Sequence, residues 1–177
     1  SAIAARVAVP VVVDGDLAEW RGLTGYLVDE DMNVPAGGIE RVDKRKQVLN
    51  STFYVQYDDN YLYVAANVAD EYIVTNIRPD DKAGFYRTDS VEFYIDPSRA
   101  GSVAGIMKLA VLPFDTEGGV QAVRHEDSKP GPVAVTNPGI RVASARTERG
   151  YAIEMAIPLA DLGLADRAGG KLGFGHM

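Results

Sequence analysis

The stretch Phe53–Asp70 (FYVQYDDNYLYVAANVAD) constrains the fold of this chain most strongly. Its apolar residues recur at every second position on both sides of the polar break Asp58–Asn60. A period of two is typical of strands with one buried face, whereas an amphipathic helix would need apolar residues three and four apart. Asp and Asn also tolerate left-handed turn backbone and can hydrogen-bond their own main chain. The stretch therefore predicts an antiparallel hairpin at the centre of a sheet.

The rest of the chain carries shorter strand patterns that are separated by turn residues. We predict strands at 6–13, 89–97, 106–114, 119–125, 133–135, 140–146 and 151–158, a helical turn at 159–164, and loops at 24–46 and 72–88. Many strands without a repeated helical pattern indicate an all-β fold. We expect an antiparallel β-sandwich forming a single domain over residues 1–177, with short helical turns, long irregular loops, and the turn Asp14–Asp16 closing one end.

Composition and charge narrow the classes of partner. The net charge is −7 and no basic patch is visible, which argues against nucleic acid because phosphate binding needs clustered Lys and Arg. The absence of cysteine excludes disulfides and thiolate metal sites but leaves the compartment open. There is no signal peptide and no run of about 18 apolar residues. The abrupt ends at Ser1 and Met177 predict a fragment that is covalently linked to other domains of a larger protein.

Four sequence segments occur in an order that resembles a known family. They are VDGDLAEW at Val13–Trp20, YDDNYLYVAANVAD at Tyr57–Asp70, TDSVEFYIDP at Thr88–Pro97 and GYAIEMAIPLADL at Gly150–Leu162, followed by the LGF of Leu172–Phe174. This order resembles the family 9 carbohydrate-binding modules and their wider DOMON-like relatives. That superfamily includes sugar binders, haem-b domains and periplasmic sensor domains, so the fold alone does not fix the ligand.

The resemblance implies a sugar site on one face of a sheet. An aromatic residue before the Asp-Ser-Val-Glu motif, the Glu of that motif and a basic residue on the next strand correspond to Tyr86, Glu92 and Lys108. The family usually has Trp and Arg where this chain has Tyr86 and Lys108, so stacking area is smaller and the bidentate fork of Arg is lost. By alternation, Tyr63 and Tyr94 point to the same kind of wet face.

Two considerations weaken this site. Tyr is a good strand former that commonly decorates a solvent-facing sheet without binding anything. The resemblance also places a second aromatic wall after the LGF segment, beyond Met177. We therefore expect at most half of the family's site in these residues, and weak binding.

The turn near the N-terminus offers candidate metal ligands. Asp14, Asp16 and Glu19 lie close in sequence and could supply oxygens to a hard cation, and the resemblance implies structural calcium as a possible cofactor. The spacing is not that of an EF-hand, and an Asp-Gly turn forms equally well without metal. Trp20, the single tryptophan, is expected in the core rather than in a sugar site.

The remaining question is the class of function. Neither His125 nor His176 falls in a metal-ligand spacing or beside a nucleophile motif, so we do not expect an enzyme. A haem-b site would need an axial Met with His or Lys, for which Met107 with Lys108 or His125 are candidates. We expect a non-catalytic periplasmic or extracellular domain that binds a carbohydrate or a related small polar, polyhydroxylated ligand. The alternative is the periplasmic sensor domain of a membrane signalling protein, such as a histidine kinase.

Overall fold

Two β-sheets make up this protein in the computed structural model. The model describes residues 4–28, 50–79, 81–99, 105–127, 129–164 and 173–176, of which 82–84 and 173–176 are described by their backbone alone. The strands are β1 Ala5–Arg6, β2 Tyr26–Val28, β3 Asn50–Tyr57, β4 Tyr61–Ala69, β5 Val91–Asp96, β6 Met107–Leu112, β7 Gln121–Arg124, β8 Gly131–Pro132, β9 Arg141–Thr147, β10 Gly150–Pro158 and β11 Gly173–His176. Short 3₁₀ segments cover Leu17–Trp20, Lys82–Arg87 and Leu159–Leu162, and one α-helical turn, α1, covers Val133–Thr136.

The strands pair into a sandwich. Sheet A has the order β1-β3-β4-β10-β9 with β2 also paired to β3, and sheet B has the order β11-β5-β6-β7-β8. Of the described pairings, β1 with β3 is parallel and the others are antiparallel. The predicted all-β antiparallel sandwich is therefore confirmed. In the described part of the chain, no helix has the length and apolar character needed to cross a membrane.

The predicted central hairpin is formed by β3 and β4. These strands pair from Asn50 opposite Ala69 to Tyr57 opposite Leu62, and β10 pairs along the other edge of β4. The Asp58 carboxylate makes the turn, since its Oδ1 accepts the main-chain N–H groups of residues 60 and 61 at 2.7 Å each. The short polar break thus acts through the side-chain hydrogen bonding expected of Asp in turns.

The core lies between the sheets and is built from alternate residues of each strand. Fully buried side chains from both inner faces include Val64, Ile153 and Met155 of sheet A, and Phe93 and Leu109 of sheet B. Burying such a side chain stabilises the fold by about 1.5–3 kcal/mol. The period of two read from the sequence therefore separates core positions from outward positions in every long strand.

Three local predictions are wrong. Residues 133–135 form α1 instead of a strand, and periodicity over so few residues does not distinguish the two. The predicted strand at 6–13 is paired only at Ala5–Arg6. The predicted loop at 24–46 contains β2 at its start, and the rest of it, from residue 29, lies outside the described residues.

The N-terminal segment, residues 7–23, covers the outer face of sheet A and is called the N-terminal cover below. Trp20 is buried there against Tyr63, Ala65 and Ala156. Its burial confirms the core prediction, but the expected position is wrong, because the turn lies over the face of sheet A and does not close one end of the sandwich. Gly15 is required in this turn, since its φ is +90° and a Cβ would lie 2.8 Å from the backbone of Ser144.

A buried carboxylate fastens the N-terminal cover to sheet A. Glu154 of β10 points to the outer face and is fully buried. Its Oε2 accepts the main-chain N–H groups of Asp14 at 3.0 Å and Gly15 at 2.7 Å, while its Oε1 accepts the indole N–H of Trp20 at 2.6 Å. Burial raises the pKa of Glu154, although the three donors act in the opposite direction.

We expect Glu154→Ala to lower the free energy of unfolding by about 3 kcal/mol or more, because it leaves three buried donors without an acceptor. Glu154→Gln should also destabilise, since its NH₂ group would face donors in place of one carboxylate oxygen. Urea unfolding followed by the fluorescence of Trp20, the single tryptophan, measures both changes. The matched control is Glu148→Ala at an exposed position. Equal stability of the Glu154 and Glu148 variants would contradict this account.

Asp89, just before β5, gives the fold a pH dependence. Its Oδ2 accepts the Val74 N–H at 2.6 Å. Burial first, and then the neighbouring Asp70 carboxylate, raise the pKa of Asp89 to about 6. The unfolded chain releases this proton near pH 3.9, roughly. The proton's contribution to stability is therefore complete below about pH 4 and is lost as the pH rises to about 6.

We expect Asp89→Asn to flatten the loss of stability between about pH 4.5 and 7, because a neutral amide can donate to Asp70 and accept from Val74 at every pH. The measurement is the urea midpoint across that range. Asp59→Asn removes an exposed carboxylate and serves as the control. An identical pH profile in wild type and Asp89→Asn would show that the carboxylate pair has no effect on stability.

Candidate functional site

The N-terminal cover buries the outer face of sheet A around Tyr63, Ala65 and Ala156. Tyr63 is 0% exposed and its hydroxyl donates to Asp58 Oδ2 at 2.6 Å. Gln56 on the neighbouring strand is also buried. The prediction that Tyr63 lies on a wet face beside Glu92 is therefore wrong. Alternation correctly assigns it to the outer face, but it lies in the other sheet and under the cover.

The outer face of sheet B brings three of the predicted site residues together. Glu92 and Tyr94 alternate with the core residues of β5, and Tyr94 is directly opposite Lys108 of β6. The Tyr94 hydroxyl donates to Glu92 Oε2 at 2.5 Å, and the Lys108 Nζ lies 5.9 Å from the Tyr94 ring centroid. Burial, followed by the carboxylate of Glu92, raises the pKa of Tyr94. Its hydroxyl is therefore a neutral donor that orients the carboxylate.

Lys108 is held at the edge of this group by the turn after β7. Its side chain is only 12% exposed, and its Nζ pairs with Glu126 Oε2 at 3.2 Å. Its main-chain N–H donates to Asp127 Oδ2 at 3.3 Å. Glu126 adopts a left-handed backbone with φ of 50°, which is uncommon for a residue other than glycine. The ammonium is therefore positioned on a buried stem and shared with an exposed carboxylate.

Tyr86 supplies an exposed aromatic ring to the same region. It belongs to the 3₁₀ segment Lys82–Arg87 and is 75% exposed. Its ring contacts Phe85 edge-on at 5.9 Å, and Phe85 in turn packs on His125 with ring centroids 4.5 Å apart. Arg87 lies 5.9 Å from the Tyr86 ring centroid and forms an ion pair with Asp81. The ring therefore has a supported edge and a face available to solvent.

His125 is a residue of this site that the sequence did not assign to it. Its Nε2 lies 3.4 Å from Glu92 Oε2, and its ring meets Tyr94 edge-on at 6.4 Å. The residue follows β7 on the same face as Val123, and its main-chain N–H bonds to the Lys108 carbonyl. The sequence signal was its alternation with Val123, which could be used only once the register of β6 and β7 was known. Below, the sheet B face means Tyr86, Glu92, Tyr94, Lys108 and His125.

The haem-ligand candidates do not fit one haem. Met107 packs in the core between the sheets, whereas Lys108 and His125 lie on the outer face of sheet B. Residues on opposite faces of a strand pair cannot supply both axial ligands to a single iron. Met107 with Lys108 or with His125 is therefore not an axial pair for a single haem.

The candidate metal ligands near the N-terminus form a turn. The Asp14 Oδ1 accepts the Asp16 N–H at 2.8 Å, and the Asp14 N–H is engaged by Glu154. Among the described residues, no three carboxylate or imidazole groups come together to hold a metal ion. Asp14, Asp16 and Glu19 therefore do not fit a calcium site, and calcium as a structural cofactor stays a prediction.

The chemistry of the sheet B face suits a polyhydroxylated ligand. An exposed aromatic ring can stack on an apolar C–H face, while a carboxylate accepts and an ammonium donates hydrogen bonds. Hydrogen bonds to charged groups are stronger than neutral ones. The face therefore combines the two contacts that a sugar ring offers.

Comparisons with known proteins agree with this chemistry. A family model described as "Carbohydrate family 9 binding domain-like" matches residues 32–177. The exoglucanase XynX of Acetivibrio thermocellus is 26% identical over 115 residues, and the endo-1,4-beta-xylanase A of Thermoanaerobacterium saccharolyticum is 27% identical over 109 residues. These matches cover 64% and 61% of this chain but only 9% and 8% of the two relatives.

Solved structures share the fold. A family 9 carbohydrate-binding module from Caldicellulosiruptor kristjanssonii in complex with cellotriose superposes with a TM-score of 0.63 at 19% identity, over 98% of this chain and 74% of that one. Its counterpart in complex with glucose gives a TM-score of 0.57 at 17% identity, over 98% and 75%. With the family model spanning most of the residues, the chain belongs to the carbohydrate family 9 binding domain-like family.

Proposed function

We propose that this chain is a non-catalytic carbohydrate-binding module that works outside the cytoplasm and binds a saccharide on the sheet B face. The observation that carries the proposal is the 75% exposed ring of Tyr86, which Phe85 and His125 connect to the Glu92 carboxylate on the strand next to Lys108. Membership of a carbohydrate-binding family supports the ligand class. The covered outer face of sheet A supports the choice of sheet B as the binding face.

Each residue has a distinct role in the proposed site. Tyr86 stacks on the apolar face of a sugar ring. Glu92 accepts hydrogen bonds from sugar hydroxyls, with Tyr94 already donating to its Oε2 and so fixing its orientation. Lys108 donates to a hydroxyl or ring oxygen, in exchange for part of its contact with Glu126. Little reorganisation is needed, because the Lys108 stem and the Glu92 carboxylate are already positioned.

The names of the similar proteins suggest the kind of saccharide and the setting. The structural neighbours are complexes with cellotriose and glucose, and the relatives are named an exoglucanase and a xylanase. We therefore infer a β-linked gluco- or xylo-saccharide as ligand, and covalent linkage of this module to a catalytic domain that degrades polysaccharide. The sensor-domain alternative stays a prediction. Catalytic motifs in the flanking gene sequence would favour the enzyme module, whereas membrane-spanning helices and a kinase core would favour the sensor.

We expect Glu92→Gln to weaken cellotriose binding by about 1.5–3 kcal/mol, since it keeps the shape but replaces a charged acceptor. Tyr86→Ala should cost about 1 kcal/mol through lost stacking. Calorimetric titration with cellotriose and glucose gives both values.

The matched controls are Tyr72→Ala, which removes a tyrosine that is 72% exposed outside the site, and Glu148→Gln at an exposed turn. Both should bind like wild type. No saturable binding by wild type at millimolar saccharide would overturn the proposed function. Binding that neither site variant weakens would place the site elsewhere.

A further inference from the structure

His125 occupies a buried position in the sheet B face that none of the roles above explains. Its side chain is 8% exposed, and neither ring nitrogen has a hydrogen-bond partner among the residues the structure describes. Buried polar atoms are normally satisfied, because an unpartnered one costs free energy. A buried imidazole without a partner, beside a carboxylate proposed to bind ligand, therefore points to a function at that carboxylate.

The geometry couples His125 to Glu92. The distance of 3.4 Å between His125 Nε2 and Glu92 Oε2 is long for a neutral hydrogen bond but within the range of an ion pair. The same Oε2 accepts the Tyr94 hydroxyl at 2.5 Å. Phe85 covers the imidazole. The main-chain N–H of His125 donates to the Lys108 carbonyl at 3.1 Å. The ring is therefore held beside Glu92 whatever its charge.

The other charged side chains on the elements around His125 form ion pairs with one another. Lys108 of β6 pairs with Glu126, and Arg124 of β7 pairs with Asp127. Before β5, Arg87 pairs with Asp81. From β5, the groups that face the ring are Glu92 and the neutral Tyr94. Glu92 is thus the carboxylate that a positive charge on the imidazole would affect most.

We propose that His125 is a positioning residue of the saccharide site, whose charge controls how far the Glu92 carboxylate is available to ligand, so that saccharide affinity falls as the imidazole becomes protonated. This inference rests on the proposed function. A neutral ring leaves Glu92 with Tyr94 as its strong donor and with free lone pairs for sugar hydroxyls. A protonated ring forms a charge-assisted hydrogen bond to Oε2, which draws the carboxylate towards the ring and weakens it as an acceptor.

Thermodynamic linkage predicts a second, reciprocal effect. If protonation of His125 weakens saccharide binding, saccharide binding must by the same factor disfavour protonation of His125. Both effects are to be measured between about pH 5 and 8, the range in which histidine side chains in general act as pH switches. A merely structural role for His125 would lower affinity equally at every pH.

Calorimetric titration of the whole chain with cellotriose between about pH 8 and 5.5 tests the inference. We expect wild type to bind at least about fivefold more weakly at the acid end. His125→Gln keeps a polar side chain that does not titrate, and its affinity should be the same at both ends. Asp89, whose pKa is about 6, titrates in the same range, so Asp89→Asn is the control that should retain the wild-type dependence.

NMR of the His125 ring nitrogens supplies a second readout. At about pH 6, added cellotriose should shift the ring towards its neutral form. Three results would each overturn this inference and leave the proposed function standing. The wild-type affinity could fail to change with pH, His125→Gln could show the same pH dependence of affinity as wild type, or Asp89→Asn could abolish that dependence. Absence of saccharide binding at about pH 8 would overturn both.

Discussion

The architecture depends on the buried carboxylate of Glu154. A carboxylate without solvent exposure costs several kcal/mol unless donors compensate for its lost hydration. Two main-chain N–H groups and the Trp20 indole N–H provide that compensation, and all three belong to the N-terminal cover. Sheet A is therefore stable in this form only when the cover lies across it. Docking of the cover and burial of the outward Glu154 of β10 are therefore coupled.

This coupling makes the two outer faces of the sandwich different. On sheet A, Tyr63 is matched with Asp58 and Glu154 with the cover, whereas the buried Gln56 Nε2 has no hydrogen-bond partner among the described residues. Sheet B carries on its outer side the unpartnered imidazole of His125, with the left-handed Glu126 and the exposed ring of Tyr86 in the same region. Strained residues tend to cluster at functional sites. The exposed ring of Tyr86, compared with the covered region around Tyr63, therefore supports the proposal that the site lies on sheet B.

Much of the fold could be predicted because alternation reports directly on side-chain direction. The Phe53–Asp70 hairpin, the core positions and the outward direction of Glu92 all follow from a period of two. The failure at Tyr63 has a physical cause, since alternation separates two faces but does not show which face another segment covers. The neighbourhood of Glu92 and Lys108 required the family resemblance as well, because pairing between strands is not encoded in spacing. His125 was missed for the same reason, as its place beside Lys108 depends on the register of β6 with β7.

The site residues also determine what kind of selectivity the sheet B face can have. Tyr86 and Lys108 stand where the resemblance leads one to expect Trp and Arg, so stacking area and bidentate geometry are both reduced. In the proposed site Glu92 then carries a larger share of recognition, and its orientation is fixed by the Tyr94 hydroxyl. Polar recognition discriminates more sharply than stacking, because a ligand lacking the right hydroxyl leaves a partly buried charge unpaired. If this face binds a saccharide as proposed, it is therefore expected to distinguish sugars by the arrangement of their hydroxyls more than by the length of the chain that carries them.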